Sequence, residues 1–412
     1  MSVIGTIVIP TRRSPVLARC VESWEANARE FGHRVRVVVS EDGDANPRRE
    51  WWVKKLAAEA VPEHIARFLL YGDPAMAQPT TGANRNLLLL ETAGDAVLTV
   101  DDDTVCEWRR APGMRAGVAE GFGHPGRLWL YRSLEAARAS AAAEPYDVLR
   151  EFGARLGGAS PVVQAGLCGD AAINTPFGRL LARGEEREEW VAEPELWRTR
   201  AVVAATPQEA LVAAPQLMTF CAALDGRQAL VPFSPMGRNQ DAVFALVLRM
   251  ADEGARVRHV PWCVWHEPSP AREFPVDVLA REAGVFHLND GVALLLRHRE
   301  PGSLRAAGLW LEELGAWDAG AFRRLLVSLR CEAVSREIGM VGQALAAYGS
   351  APGWWGRELR GVLGVLEGAL SGERLLAGAE RLQGYVGMFG GALRQWEAVW
   401  ECARGVGRPN RR

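Results

Sequence analysis

The sequence predicts an α/β domain with a Rossmann-like, mainly parallel sheet, followed by an all-helical region. Three observations carry this. Short β-branched runs alternate with helix-period stretches through the first part of the chain, the pattern of a parallel sheet with crossover helices. One of those runs, Val97 to Val100, ends abruptly in three carboxylates, Asp101, Asp102 and Asp103. After about Gly284 the apolar residues recur only at helical spacing.

Ile4 to Ile9 is a β-branched run stopped by Pro10 and reads as the first strand. Pro15 to Phe31 follows as a helix, with Leu17, Cys20, Val21 and Trp24 at helical spacing. Ser14 is its candidate N-cap, and Pro15 suits a first turn. Val35 to Val39 is the second strand and runs into Ser40-Glu41-Asp42-Gly43. Trp51 to Ala60 predicts a helix, and His64 to Tyr71 a strand or the approach to one. Thr81 to Thr92 predicts a helix, with Gly82 at its start and Gly94 just past its end. Ligands of parallel sheets bind beyond the carboxyl ends of the strands. The loops carrying Thr11-Arg12-Arg13, Glu41-Asp42 and Asp101 to Asp103 therefore belong to one edge.

Strand alternation sends Asp101 and Asp103 to one face of the strand end and Asp102 to the other. Neighbouring carboxylates repel, and a divalent cation with oxygen ligands is one counter-charge that relieves them. A solvated acidic turn is the other reading, and the motif alone supports both.

Further along, Gly121 to Gly126 spells G-x-G-x-x-G, but Pro125 lies inside it and a strand, Arg127 to Tyr131, comes after it. A dinucleotide site needs the reverse order, so this is a turn. Leu134 to Ala143 is helix-prone. Gly184 to Arg200, with Trp190 and Trp197, reads as a solvated charged face, with a lid as the sharper alternative. Leu217 to Leu224 predicts a buried strand, and Pro232 to Arg238 a loop. Asn239-Gln240-Asp241 then opens an apolar helix, Ala242 to Met250. Strand Val257 to Val264 leads to Trp265-His266-Glu267-Pro268.

The last third divides into about five helices, within 292–299, 304–314, 322–347, 359–370 and 373–403. This predicts two domains, 1–285 and 286–412. Trp310, Trp317, Trp354, Trp355, Trp396 and Trp400 fall in the second. Core packing is their default, and an acceptor platform or homodimer surface the sharper reading. The arginines of the tail, Arg404 to Arg412, predict a frayed end.

Composition narrows the class. The 412 residues are 48% hydrophobic and 24% charged, with a formal net charge of −2, ordinary for a soluble globular chain. Nothing in that balance draws the chain to nucleic acid or an anionic membrane. Lys54 and Lys55 are the only lysines, which reads as coding bias. The seven cysteines are scattered singly with no C-x-x-C pair, which argues against a cysteine zinc site and fits free thiols in a reducing cytoplasm. Met1 to Ile4 carries no basic leader and no apolar run spans a bilayer. A cytoplasmic protein is the expectation, with peripheral membrane attachment through a surface patch left open.

Four segments occur in order: Ile7-Val8-Ile9-Pro10-Thr11, the strand ending in Glu41-Asp42-Gly43, Gly82-Ala83-Asn84-Arg85-Asn86, and Val100-Asp101-Asp102-Asp103. Together they resemble the nucleotide-sugar domain of GT-A glycosyltransferases, in particular the large inverting family (family 2-like) that includes many bacterial sugar transferases. The likeness covers residues 1–110, extends more loosely to about Glu267, and omits the C-terminal third.

That resemblance implies a nucleoside diphosphate sugar donor (UDP- or GDP-sugar) and a divalent metal, Mn²⁺ or Mg²⁺. The acceptor is not legible: a saccharide, peptide, lipid or natural product would fit. Asp103 is implied as the first metal ligand and Asp101 as the second, shared with the ribose. His266 is the third candidate, since imidazole suits a Mn²⁺-type site beside carboxylates. Asp102 would support the turn or meet the ligand from the other face. Pro10, Thr11, Arg13, Asp42 and Gly82 would line the nucleotide pocket, and Arg85 would approach the diphosphate. Asp241 is the implied general base, although the family's frequent Glu-Asp pair is Gln240-Asp241 here. Asp170, in Gly166 to Asp170, and Trp265 are candidate contacts for donor sugar or acceptor. The structural readings stand beside these: Asp241 as a carboxylate stabilised by its helix dipole, His266 as a satisfied core histidine, Arg85 as a helix-surface arginine. Two other functions compete. A nucleotidyltransferase would want glycines after the first strand, which Thr11 to Pro15 lacks. A catalytically silent nucleotide-sugar or glycan scaffold would bind without turnover. No G-x-S-x-G elbow supports a serine hydrolase.

Overall fold

The computed structural model describes residues 3–406 apart from 13, 44–45, 122–125, 173–175, 182–187, 191–195, 214–216, 271, 276 and 348–352. Arg13, most of the Gly121 to Gly126 turn, much of the Gly184 to Arg200 stretch and the tail beyond 406 lie outside the described residues.

Three parallel strands form the N-terminal half of the sheet: β1 (Thr6–Thr11), β2 (Arg36–Glu41) and β3 (Ala96–Val100), ordered β2-β1-β3. Helix α1 (Ser14–Glu30) connects β1 to β2. Helices α2 (Pro47–Ala58), α3 (Glu63–Tyr71) and α4 (Thr81–Glu91) fill the connection from β2 to β3. The stretch His64 to Tyr71 is thus a helix and not a strand. Ile65, Phe68 and Leu69 stand at i, i+3 and i+4 and bury one helical face.

Strand alternation sorts two cores. Ile7, Ile9, Leu98 and Val100 pack with Cys20 and Trp24 of α1 on one face of the sheet. Val8 and Val97 pack with residues of α2, α3 and α4 on the other.

Beyond β3 the sheet is mixed. The chain continues through β4 (Thr104–Arg110), β5 (Val118–Gly121), β6 (Arg127–Leu130), α5 (Leu134–Ala139), α6 (Val148–Arg155), β7 (Val162–Asp170), α7 (Pro176–Leu180), β8 (Ala201–Ala205), β9 (Glu209–Val212) and β10 (Cys221–Asp225). Helix α8 (Gln240–Ala251) and β11 (Val257–His266) follow. Strand β10 runs antiparallel between β3 and β7. Strand β11 lies parallel to β7 and antiparallel to β4. The parallel expectation holds for β2-β1-β3, for β7-β11 and for β5-β9. The remaining pairs are antiparallel and join strands distant along the chain.

After a short α9 (Val278–Glu282), every further described element is helical: α10 (Leu288–Arg299), α11 (Leu304–Ala316), α12 (Ala319–Ala347), α13 (Gly353–Ala369), α14 (Gly372–Leu376) and α15 (Ala379–Gly405). These helices continue the core of the sheet domain. Leu295, Leu311, Phe389, Trp396 and Trp400 belong to the same buried cluster as Phe68, Leu88 and Phe244. Trp310, Trp355, Trp396 and Trp400 are buried, as core packing predicts, and Trp317 and Trp354 are half-buried against the clusters. The seven cysteines are unpaired. Among the described residues no helix is long and apolar enough to cross a membrane.

Candidate functional site

The chain turns sharply after β3. The Thr104 N–H and hydroxyl both donate to the Asp101 carbonyl, at 3.1 and 2.7 Å. The three carboxylates diverge from this turn. Asp101 Oδ1 accepts from Arg85 Nη2 at 2.6 Å. Asp102 Oδ2 accepts from the Thr11 hydroxyl at 2.6 Å and the Arg12 N–H at 3.3 Å. Asp103 Oδ1 lies 3.1 Å from His266 Nε2, and its Oδ2 3.5 Å from Arg272 Nη2. All three lie past the end of β3, so strand alternation does not sort them: Asp101 and Asp102 share a cleft, and Asp103 turns to His266. Burial pushes the Asp101 carboxyl above its ordinary pKa; Arg85 opposes this and the charges of Asp103 and Asp241 add to it.

The Gly82 to Asn86 stretch, the start of α4, ties three strand ends together. A Cβ at Gly82 would sit 1.9 Å from the Ser234 carbonyl oxygen, so only glycine permits this approach. Asn84 accepts from the Ser40 hydroxyl and donates to the Ser40 carbonyl at 2.7 Å. Arg85 reaches Asp101, the Thr99 hydroxyl at 3.2 Å and the Thr219 carbonyl at 3.4 Å. Asn86 pairs with the backbone of Phe233, accepting its N–H at 2.8 Å and donating to its carbonyl at 3.0 Å. Gly82 therefore serves packing and is not among the walls of the cleft that opens at the strand ends. Arg85 is buried beneath Asp101, neither a surface residue nor open to the cleft.

A cleft of about 340 Å³ opens at the carboxyl ends of β1, β2 and β3. Its walls are Pro10, Thr11, Arg12, Asp42, Thr81, Asn84, Asp101, Asp102 and Arg272. Five of these, Pro10, Thr11, Asp42, Asp101 and Asp102, are sequence-predicted. Arg12, Asn84, Thr81 and Arg272 are not. The Asp42 carboxylate is almost wholly covered. Its Oδ1 accepts from the Thr80 hydroxyl at 2.5 Å and Arg49 Nη2 at 3.0 Å, and its Oδ2 lies 3.0 Å from Arg12 Nε. The Arg12 side chain is 53% exposed, against 1% for Asp42. A larger neighbouring cleft, about 870 Å³, shares Arg12 and Asp42 and adds Phe68, Tyr71, Met236 and, from α15, Met388.

His266 stands at the end of β11, opposite Gly169 of β7 and Thr104 of β4. Gly169 has φ +133°, and a Cβ there would meet the His266 carbonyl oxygen at 2.1 Å. The close approach brings His266 Nδ1 within 2.6 Å of the Asp170 carbonyl, to which it donates. That bond directs Nε2 at Asp103. Burial works against protonation of His266; the Asp103 hydrogen bond and charge outweigh it, with the Asp170 carbonyl and Asp101 adding, so its pKa lies above the ordinary value.

A metal was expected here. Among the described residues no group of three or more His, Cys, Asp or Glu side chains is gathered around one point. Asp101 is turned toward Arg85. Asp103 and His266 fit as a two-donor set. Their 3.1 Å separation matches both a charged hydrogen bond and adjacent corners of a Mg²⁺-type octahedron, about 2.9 Å for bonds of 2.0–2.1 Å. A ligating histidine whose other nitrogen donates to a carbonyl is the usual outer-shell arrangement. Such ions bind through one or two protein ligands plus substrate phosphates.

Asp241 lies in the first turn of α8 and accepts from the Thr219 hydroxyl at 2.7 Å and the Thr219 N–H at 3.2 Å. It does not line the 340 Å³ cleft, but its charge acts on Asp101. Asn239 before it adopts a left-handed backbone, φ 64°, and donates to Asp290 at 2.8 Å.

Two predicted contacts do not face the cleft. Trp265 is 2% exposed, between the guanidinium groups of Arg109 and Arg138 at 5.3 and 5.0 Å. It neighbours His266 on a strand and so points to the opposite face. Asp170 is equally buried. Its Oδ1 accepts from Arg200 Nε at 2.6 Å and its Oδ2 from the Arg272 N–H at 2.9 Å. Both of its oxygens are thus engaged by protein groups. Arg272 had no signal beyond its position in the proline-rich loop after His266. Arg12 stood in the loop Thr11-Arg12-Arg13 named from the sequence, where Arg13 was the expected contact; Arg13 lies outside the described residues. No family model, no curated protein and no solved structure matches this chain.

Proposed function

We propose that the chain is an inverting glycosyltransferase of the GT-A type, which moves a sugar from a nucleoside diphosphate sugar to an acceptor with the help of a divalent metal. The observation that carries this is the convergence of Pro10, Thr11, Asp42, Asp101 and Asp102 on one cleft of about 340 Å³, with the Asp103–His266 pair beside it. The cleft size suits a ligand of nucleotide class.

In this reading the Thr11–Asp102 hydrogen bond and the Asn84–Ser40 pair keep the cleft walls rigid for the nucleoside. Arg85 holds Asp101 at the wall, where its carboxylate can accept from ribose hydroxyls. Asp103 and His266 would hold Mn²⁺ or Mg²⁺, which supplies a positive charge to the departing diphosphate. Asp241 keeps acceptor capacity beyond its two bonds to Thr219. The acceptor hydroxyl oxygen forms the new bond to the anomeric carbon as the bond to the diphosphate breaks. The hydroxyl proton passes to Asp241, and the electron pair leaves with the diphosphate. One displacement inverts the anomeric centre.

The test is a panel of UDP- and GDP-sugars, titrated with and without Mn²⁺ and followed for slow hydrolysis of the donor. Metal-dependent binding together with hydrolysis is the expected result. Binding without any turnover points to a silent scaffold, and no binding in either condition sinks the proposal.

A further inference from the structure

We propose that Arg272 is a built-in cation that competes with the metal for Asp103 and turns to the diphosphate when metal and nucleotide bind. The inference rests on the reading of the cleft given above, and it adds a residue and a binding order to it.

The root of Arg272 is fixed. Its backbone N–H donates to Asp170 Oδ2 at 2.9 Å, and Asp170 Oδ1 accepts from Arg200 Nε at 2.6 Å. Two residues on, the ring of Phe274 lies against the guanidinium groups of Arg200 and Arg179, at 5.1 and 5.6 Å. Asp170 carries the other half of the site as well, because its carbonyl orients His266. One buried residue thus sets the root of Arg272 and the direction of the imidazole.

The head of Arg272 is not fixed in the same way. Its side chain is 47% exposed and lines the cleft, whereas the Asp103 side chain it faces at 3.5 Å is 2% exposed. Among the described residues, Asp103 meets a buried imidazole and a half-solvated guanidinium. A dication bound at Asp103 repels a guanidinium at that distance. The bulky diphosphate beside the metal attracts it, and its planar fork matches phosphate oxygens. Arg272 neutralises Asp103 before metal binds and neutralises the leaving group afterwards.

These two roles give opposite signs on substitution. Mn²⁺ alone, then UDP and GDP at saturating Mn²⁺, are titrated by calorimetry into the wild-type chain and into Arg272→Gln. Loss of a partly exposed ion pair should tighten Mn²⁺ alone by about two- to fivefold. Loss of a charge-assisted bond should weaken the nucleotide by about tenfold or more. Arg272→Lys keeps the charge without the fork, so it should keep wild-type Mn²⁺ affinity and lose part of the nucleotide affinity. Unchanged thermal melting of both variants excludes a folding defect; if Arg272→Gln melts earlier, Arg272→Lys carries the comparison. Wild-type binding of both probes with Arg272→Gln identical to it, or with both affinities moved in the same direction, overturns this role alone. Wild-type binding of neither probe overturns the reading of the cleft and this role with it.

Discussion

Asp102 and Asp241 are both carboxylates near the sheet mouth, and their partners separate their work. Asp102 is spent on Thr11 and Arg12. Asp241 is held, among the described residues, by Thr219 at the first turn of a helix. Asp241→Asn keeps the shape and the Thr219 hydroxyl bond and removes the proton acceptor. Its turnover should fall by about 10²–10⁴ while donor affinity stays near wild type, as single-turnover rates and nucleotide titration would reveal; an unchanged rate removes Asp241 from the chemistry. His266 makes a second prediction. Its folded pKa lies above the ordinary 6.5, through the Asp103 contact acting against burial. A raised histidine contributes stability that is complete below the unfolded pKa and lost as pH rises through the folded one. The metal-free protein should therefore lose thermal stability as pH rises from about 6 toward 8. His266→Gln should flatten that slope, and equal slopes in the two proteins would remove the Asp103–His266 pair as its source.

At the scale of elements, helix α4 joins what the sequence separates. Its first turns hold β2 through Ser40, the end of β3 through Asp101, and the loop before α8 through Phe233 and Ser234. Gly82→Ala forces a Cβ into the Ser234 carbonyl, 1.9 Å away. Overpacking of this kind costs about 1–3 kcal/mol or more, readable as a lower urea midpoint, and should weaken nucleotide binding because the α4 and α8 ends shift apart. A fully stable Gly82→Ala would mean that the loop yields freely and α4 is no hub. The stretch itself was legible from its order along the chain and its place before an acidic strand end. Its partners were not, because contacts to Asp101, Thr219 and Phe233 depend on tertiary register. Strand parity misled for Asp101 to Asp103, because the strand ends at Val100 and Asp101 joins Asp102 at the cleft. Within β11 the same parity is informative: it sends His266 to Asp103 and Trp265 to Arg109 and Arg138. The helix at Glu63–Tyr71 was missed because nine residues hold too few turns for its period to stand out from an apolar run.

For the whole molecule, the change of pattern near residue 285 marks a change of architecture but not a gap in packing. The loop before α8 is gripped from the helical side. Tyr385 Oη shares a hydrogen bond with the Ser234 hydroxyl at 2.6 Å, and Asn289 Nδ2 donates to the Met236 and Arg238 carbonyls at 2.8 and 2.6 Å. Trp396 Nε1 donates to the Leu230 carbonyl at 2.5 Å. Apart from the exposed Arg238 these groups are buried, and α15 lays Phe389 and Trp396 into the core that holds Phe68 and Phe244. Cutting the chain after 285 would leave those carbonyls and that apolar face in water, and the loop leading to Asp241 without its support. The fragment 1–285 should be insoluble or lack a cooperative transition, while the full chain should unfold with coincident tryptophan fluorescence and far-UV circular dichroism. Tyr385→Phe gives a gentler version. It removes one hydroxyl from a buried network, which costs about 1–3 kcal/mol, and should lower turnover through Asp241 more than nucleotide affinity, since the cleft walls lie at the ends of β1, β2 and β3, on α4 and on the loop after β11. A soluble 1–285 fragment that binds nucleotide and unfolds cooperatively would reverse this view and make the helices an appendage of a self-sufficient sheet domain.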